Sequence, residues 1–203
     1  MRRYAIIATR YPKEVRDDGT TTVGALYRFL TSAGWEVNFV EGAESMFDVY
    51  DSTVKRLGLT ADDQVILCHD DIEILLSEDN FNKILHAHLT RPRTGFVGVA
   101  GSAYLSREQI SWFDSAQEHQ GAGGGVVFHG KSSLDMIPSC YGQAPIAVVM
   151  DGQFLATTGK ILNTINLKMP PNFVGKWDWY DALYTFQAHL KKLSNVIAPI
   201  LIR

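Results

Sequence analysis

Residues 69–73 read His69-Asp70-Asp71-Ile72-Glu73 and follow directly on the apolar run Val65-Ile66-Leu67-Cys68. Two adjacent carboxylates repel each other when ionised, and a divalent cation relieves that repulsion. Mg²⁺ and Mn²⁺ take one or two carboxylate oxygens and complete their coordination with phosphate oxygens of a substrate. The setting supports this chemistry, because a short apolar run reads as a buried strand and open parallel sheets bind ligands beyond the carboxyl ends of their strands. The same acids would also suit the first turn of a helix, where they complement its dipole. A second group lies near the C-terminus, in Gly175-Lys176-Trp177-Asp178-Trp179-Tyr180-Asp181. Asp178 and Asp181 are spaced as N-cap and N3 of the amphipathic segment that follows. A carboxylate at a helix N-terminus is held ionised by a lowered pKa, and it can also accept a proton as a general base. Trp177, Trp179 and Tyr180 offer faces that stack on sugars or fill a core.

The elements that must position these residues follow from periodicity. Residues 4–8 form a first strand, and the polar stretch 13–22 reads as a loop. Val23, Leu26 and Leu30 recur at helical spacing until Ala33-Gly34. Residues 36–40 give a second strand. Ser45, with Asp48 three residues on, opens a helix striped by Phe47, Tyr50, Val54 and Leu57 that Gly58 ends. Residues 64–68 form the third strand, a helix covers 79–89, and 95–100 form a fourth strand. Residues 101–141 are irregular, and the glycine-rich 121–125 reads as a mobile loop near a site. Residues 145–150 form a fifth strand, followed by the turn signal Asp151-Gly152. A last helix covers 180–193, with Leu183, Phe186, Leu190 and Leu193 inward, and 196–202 close as a strand with Pro199 at an edge or bulge. Alternating strands and helices in the first half imply an α/β fold with a mostly parallel central sheet flanked by helices.

Composition narrows the function. The 203 residues suit a single domain, and 46% hydrophobic against 20% charged residues gives enough core to fold without a disulfide. A formal charge of −3 leaves no basic surplus for a phosphate backbone, so nucleic acid is excluded as a partner. Cys68 and Cys140 fit no metal-ligand spacing, and Cys68 reads as a buried free thiol. The apolar stretch after Arg3 is too short for a signal peptide or a transmembrane segment, so a cytoplasmic location is expected.

The segment 65–74 resembles the metal-binding segment of family-2-type glycosyltransferases, in which a hydrophobic strand runs into Asp-x-Asp. It is more similar still to bacterial glycosyltransferase-like proteins that read His-x-Asp, with His69 in the first acid's place. The resemblance implies a GT-A-like single domain over residues 1–203, with a nucleotide-sugar-binding half at 1–100 and an acceptor-binding half at 101–203. It implies Mn²⁺ or Mg²⁺ at Asp71 with help from Asp70, and a UDP- or GDP-linked donor contacted by Thr9, Arg10, Glu41, His69 and Asp70. Asp51 stands at the family's usual Asn position beside the donor. Asp151, Gly152, Trp177 and Trp179 fall beside a saccharide or other hydroxyl acceptor. Asp181 takes the base position, with Asp178 one turn away as the alternative, and the transfer would invert configuration. A non-catalytic nucleotide-sugar-binding domain and a metal-dependent phosphoesterase are the competing readings.

Overall fold

A computed structural model describes residues 1–108, 110–130 and 135–203. Along the chain run β1 (Arg3–Thr9), α1 (Lys13–Asp17), α2 (Thr22–Ser32), β2 (Glu36–Glu41), α3 (Met46–Leu57), β3 (Gln64–Cys68), α4 (Glu78–Leu89), β4 (Thr94–Gly98) and β5 (Ala100–Ser102). The second half contains α5 (Trp112–Glu118), β6 (Gly123–His129), β7 (Ile137–Gln143), β8 (Ile146–Ala147), β9 (Val149–Met150), β10 (Phe154–Thr158), α6 (Gly159–Leu162), α7 (Tyr180–Leu190) and β11 (Ser194–Ile197). Among the described residues no helix is long and apolar enough to cross a membrane.

The main sheet has the order β2-β1-β3-β10-β4-β11-β8. Strands β2, β1, β3, β4 and β11 share one direction, whereas β10 and β8 run against their neighbours. Its strands alternate between two buried faces. Ala5, Ile7, Ile66 and Cys68 pack with Leu26 and Leu30 of α2 and Phe81 and Leu85 of α4. Tyr4, Ile6, Val65 and Leu67 pack with Phe47 and Tyr50 of α3 and Tyr180 and Tyr184 of α7. The result is a helix–sheet–helix sandwich. Ser45 caps α3 as its spacing predicts, its Oγ accepting from the Asp48 amide at 3.1 Å.

Several expectations are corrected. Residues 13–22 contain the short helix α1 rather than loop alone. The fourth and fifth strands are each divided between two sheets, because the chain leaves the main sheet after β4 and again after β8 to build a second, antiparallel sheet β7-β6-β5-β9. The glycine-rich segment is not a loop beyond its first two residues. Gly123, Gly124 and Gly125 pair on one side with Ser102, Gly101 and Ala100 and, for Gly124 and Gly125, on the other with Gln143 and Gly142. Glycine is required there by crowding, since a Cβ on Gly124 would lie 2.1 Å from the Ala144 carbonyl oxygen and one on Gly125 2.0 Å from that of Val99. The fully buried residues of α7 are Tyr180, Ala182, Tyr184, Thr185 and Ala188; of the expected stripe, Leu183 and Leu193 pack at the core's edge, partly buried, and Leu190 is exposed. The closing strand stops at Ile197, after which Ile202 makes a single bridge to Ile74.

Gly124→Ala tests this second sheet. Because the added methyl meets backbone that cannot swing aside, urea denaturation should show a loss of about 1–3 kcal/mol. An unchanged midpoint would contradict the packing of β6.

Candidate active site

The candidate site begins where β3 ends. The His69 amide donates to the Gln153 carbonyl at 3.1 Å, which locks the end of β3 beside the turn leading into β10. Asp70 Oδ2 accepts from Thr9 Oγ1 at 2.7 Å, tying the end of β1 to the end of β3. Asp71 is 63% exposed, and its Oδ1 lies 3.9 Å from His69 Nδ1. Among the described residues no lysine or arginine pairs with Asp70 or Asp71. These residues, with Thr9, Arg10 and Trp177, line a cleft of about 630 Å³.

A smaller cleft of about 190 Å³ adjoins it, with His69 and Trp177 in the walls of both. Trp112, Asp151, Gly152, Asp178, Trp179, Tyr180 and Asp181 are among the other residues that line it. The start of α7 approaches the Asp151–Gly152 turn so closely that a Cβ on Gly152 would lie 2.4 Å from the Tyr180 hydroxyl and 2.9 Å from Asp181 Cβ. Only glycine permits that contact. The Tyr180 hydroxyl donates to the Gly152 carbonyl at 3.0 Å and lies 3.0 Å from His69 Nε2.

The helix start differs from a capping box. Trp179, not Asp178, is the N-cap; it makes no side-chain cap bond and sits at φ 64° in the left-handed region. Such a conformation costs a non-glycine residue about 1–2 kcal/mol. The reversal turns the Tyr180 ring inward, where it is 2% exposed, and leaves Asp178 exposed.

The two half-buried carboxyls, Asp151 and Asp181, also behave differently from the expectation of a depressed pKa. Burial, then the nearby Asp151, pushes Asp181 up to about 7, only partly offset by backbone N–H groups of Ala182 and Gly152. Burial likewise raises Asp151, against the Gln153 amide, His69, the Trp112 indole and His129. Desolvation here outweighs the helix N-terminus.

Of the residues singled out in the sequence, Thr9, Arg10, Asp70 and Asp71 gather in the larger cleft and Asp151, Gly152, Asp178, Trp179 and Asp181 in the smaller, with His69 and Trp177 shared. Glu41 is not brought in. Its carboxylate pairs with Arg16, whose guanidinium stacks 4.7 Å above the Phe39 ring. Asp51 pairs with Lys55 one turn along α3. Glu73 pairs with Arg203 through side chains and backbone, which removes it as a cation ligand. Tyr180 and Trp112 were missed as polar partners. Their types are equally those of core residues, and the partner of Tyr180 lies 111 residues away in the chain.

The donor chemistry fits a divalent cation in part. Among the described residues no three His, Cys, Asp or Glu side chains converge into a complete cage. Two carboxylates without a cationic partner nevertheless face an open cleft, an arrangement suited to an ion that shares phosphate oxygens.

Asp181→Asn tests the half-buried carboxyl. The folded state keeps a proton that the unfolded chain releases near 3.8, so the associated stability is present below that pH and lost as pH rises through about 7. The neutral variant should therefore melt progressively higher than wild type as pH rises to about 7 and keep that lead above it, by about 2–4 °C for each kcal/mol relieved. The groups facing Asp181 are Asp151, Tyr180 and Tyr50. A difference independent of pH would mean that the carboxyl is solvated.

No protein-family model and no curated protein sequence matches the chain. Solved structures do. A197 from STIV superposes with a TM-score of 0.50 at 11% identity, over 100% of this chain and 81% of that one. The mannosyltransferase PcManGT from Pyrobaculum calidifontis, solved with GDP-Man and Mn²⁺, superposes with a TM-score of 0.50 at 12% identity, over 99% of this chain. The chain spans 56% of the length of that enzyme. At these identities the likeness establishes the fold alone, and that fold is a GT-A-like α/β fold.

Proposed function

We propose that the chain is a metal-dependent glycosyltransferase that moves a sugar from a UDP- or GDP-linked donor to a saccharide or other hydroxyl acceptor. The observation that carries this reading is the pair of adjoining clefts. Carboxylates without a lysine or arginine partner stand in one, a half-buried carboxyl raised towards neutrality stands in the other, and His69 and Trp177 stand between them. The mannosyltransferase that shares the fold was solved with GDP-Man and Mn²⁺, which supports the choice of donor class and ion. On this reading residues 1–100 bind the nucleotide sugar and 101–203 supply most of the acceptor side.

The donor diphosphate lies along Thr9, Arg10, His69 and Asp70. Asp71, with Asp70, would hold Mn²⁺ or Mg²⁺, which would neutralise charge on the leaving diphosphate. The acceptor rests against Asp151, Gly152, Trp177 and Trp179 in the smaller cleft. Asp181 accepts the proton of the acceptor hydroxyl as its oxygen bonds to the anomeric carbon, and the bond to the diphosphate oxygen breaks with its electron pair on the leaving group. A single displacement of this kind inverts configuration. Asp181 is favoured over Asp178 because burial makes it the stronger base, whereas Asp178 is exposed.

Two experiments test the assignment. Calorimetric titration with GDP and with UDP should show Mn²⁺-dependent binding that Asp71→Ala weakens only when the metal is present; equal affinity in both proteins would remove Asp71 from the site. Turnover should fall about 10²–10⁴-fold in Asp181→Asn with donor affinity nearly unchanged, and much less in Asp178→Asn. In wild type kcat/KM should rise tenfold per pH unit below about 7 and level off above it, following ionisation of Asp181. If the variant's profile and rate match wild type, the base lies elsewhere. Binding without turnover in wild type would favour a nucleotide-sugar-binding domain.

A further inference from the structure

We infer that the chain carries a second ligand site, at the end of the main sheet opposite the candidate active site, and that it takes a small hydroxyl-bearing oxyanion. The inference is independent of the proposed transfer. β3 begins at Gln64, and roughly 13 Å of strand separate that residue from Cys68, after which the acids of the larger cleft follow.

The site is a cavity of about 480 Å³. Gln64 of β3 and Thr158 of β10, direct partners in the antiparallel register, are in its lining, as are Arg91 just after α4 and Lys160 of α6. Gln64 is the residue that singles this cavity out. It is 3% exposed, yet among the described residues its carboxamide makes no hydrogen bond, although its backbone amide donates to the Arg2 carbonyl at 2.9 Å. A nearly buried amide without partners is costly, and an apolar side chain of similar size would avoid that cost. The polar residues around it are satisfied. Asp63 accepts from Arg2 and from the Thr60 amide, and Thr94 Oγ1 donates to the His88 carbonyl at 2.8 Å. The little surface that Gln64 retains lies in the cavity wall.

Charge in the lining gives the class of ligand. Arg91 and Lys160 come from different elements, and among the described residues neither enters an ion pair. Against these two cations stands the exposed Asp62. A planar guanidinium beside an ammonium suits a phosphate or a carboxylate. The last turn of a helix opposes an anion through its free carbonyls. In α4 the His86 and His88 carbonyls are already taken, by the hydroxyls of Thr90 at 2.7 Å and Thr94 at 2.8 Å. The Gln64 carboxamide offers both a donor and an acceptor, and so does the Thr158 hydroxyl, which makes no cap bond to α6. Such groups complement hydroxyls. The ligand therefore joins an oxyanion to a hydroxylated body, with the anion on Arg91 and Lys160 and the hydroxyls on Gln64 and Thr158.

The test uses the full chain in EDTA, which withholds divalent cations from the larger cleft, with glycerol 3-phosphate, glycerate and uncharged glycerol as probes. In ¹H–¹⁵N spectra glycerol 3-phosphate should shift the Gln64 side-chain amide saturably, and the melting temperature should rise with its concentration. Arg91→Gln and Lys160→Gln should each weaken binding about tenfold or more, since each removes a charge-assisted hydrogen bond. Gln64→Leu should melt no lower than wild type without a probe and gain nothing from one. A response to glycerol 3-phosphate alone identifies a phosphomonoester, and a response to glycerate as well extends the class to carboxylates. Silence from both anions, or an equal response to glycerol, would overturn the inference. Unchanged affinity in both charge variants would do the same, whether or not Gln64→Leu folds. Shifts confined to Thr9, Arg10 and His69 would place the anion in the larger cleft and remove the second site. A Gln64→Leu protein that melts lower without a probe would show a carboxamide already satisfied, which also contradicts the inference.

Discussion

The candidate site depends on one strand placed against the grain. β10 lies antiparallel between β3 and β4, pairing Phe154 with Cys68 and Leu155 with Gly98. A strand entering from that end must be preceded by a turn at the carboxyl ends of its neighbours, and the turn is Asp151-Gly152. The Asp151 amide is held by the Ala100 carbonyl at 3.0 Å and the Gln153 carbonyl holds the His69 amide. Residues more than 50 positions apart in the chain are thus set side by side by ordinary backbone hydrogen bonds, before any side chain contributes. Reversing or removing β10 would leave the acids after β3 facing solvent with no second cleft beside them.

Onto that turn the start of α7 is pressed at close range, and most of the unusual features of the molecule are consequences. Gly152 has no room for a side chain, Trp179 adopts a left-handed backbone, and two carboxyls are drawn out of water together. Each of these opposes folding. They persist because the aromatic cluster of Phe47, Tyr50, Tyr180 and Tyr184 buries enough surface to hold the helix in place. Strain and desolvation gathered at the junction of two clefts are what a site requires if a carboxyl is to work near neutral pH.

The second sheet plays a quieter part. By leaving the main sheet after β4 and rejoining it at β8, the chain brings Trp112 of α5 into the lining of the smaller cleft. The glycines of β6 let three backbones approach more closely than side chains would allow. Glycine density, read as freedom of the backbone, here meets a demand for compactness. The two demands leave the same mark on a sequence because both require the absence of a Cβ.

What the sequence determined by itself is local. Short apolar runs marked β1 and β3, the Ser45-x-x-Asp48 start and Gly58 stop marked α3, and the apolar run ahead of His69-Asp70-Asp71 marked the strand end that borders the larger cleft. These rest on interactions within a few residues, which periodicity and capping report directly. The tertiary structure decided the rest: the reversal of β10, the splitting of two strands between sheets, the inward turn of Tyr180 and the elevation of Asp181. The buried face of α7 also escaped the pattern, since Tyr184 and Thr185 are covered while Leu190 is not. Glu41 and Glu73, acids of suitable type and position, are engaged by Arg16 and Arg203. Pairing across the fold, desolvation and steric crowding depend on what is near in space, and spacing along a chain does not encode that nearness until the sheet order is known.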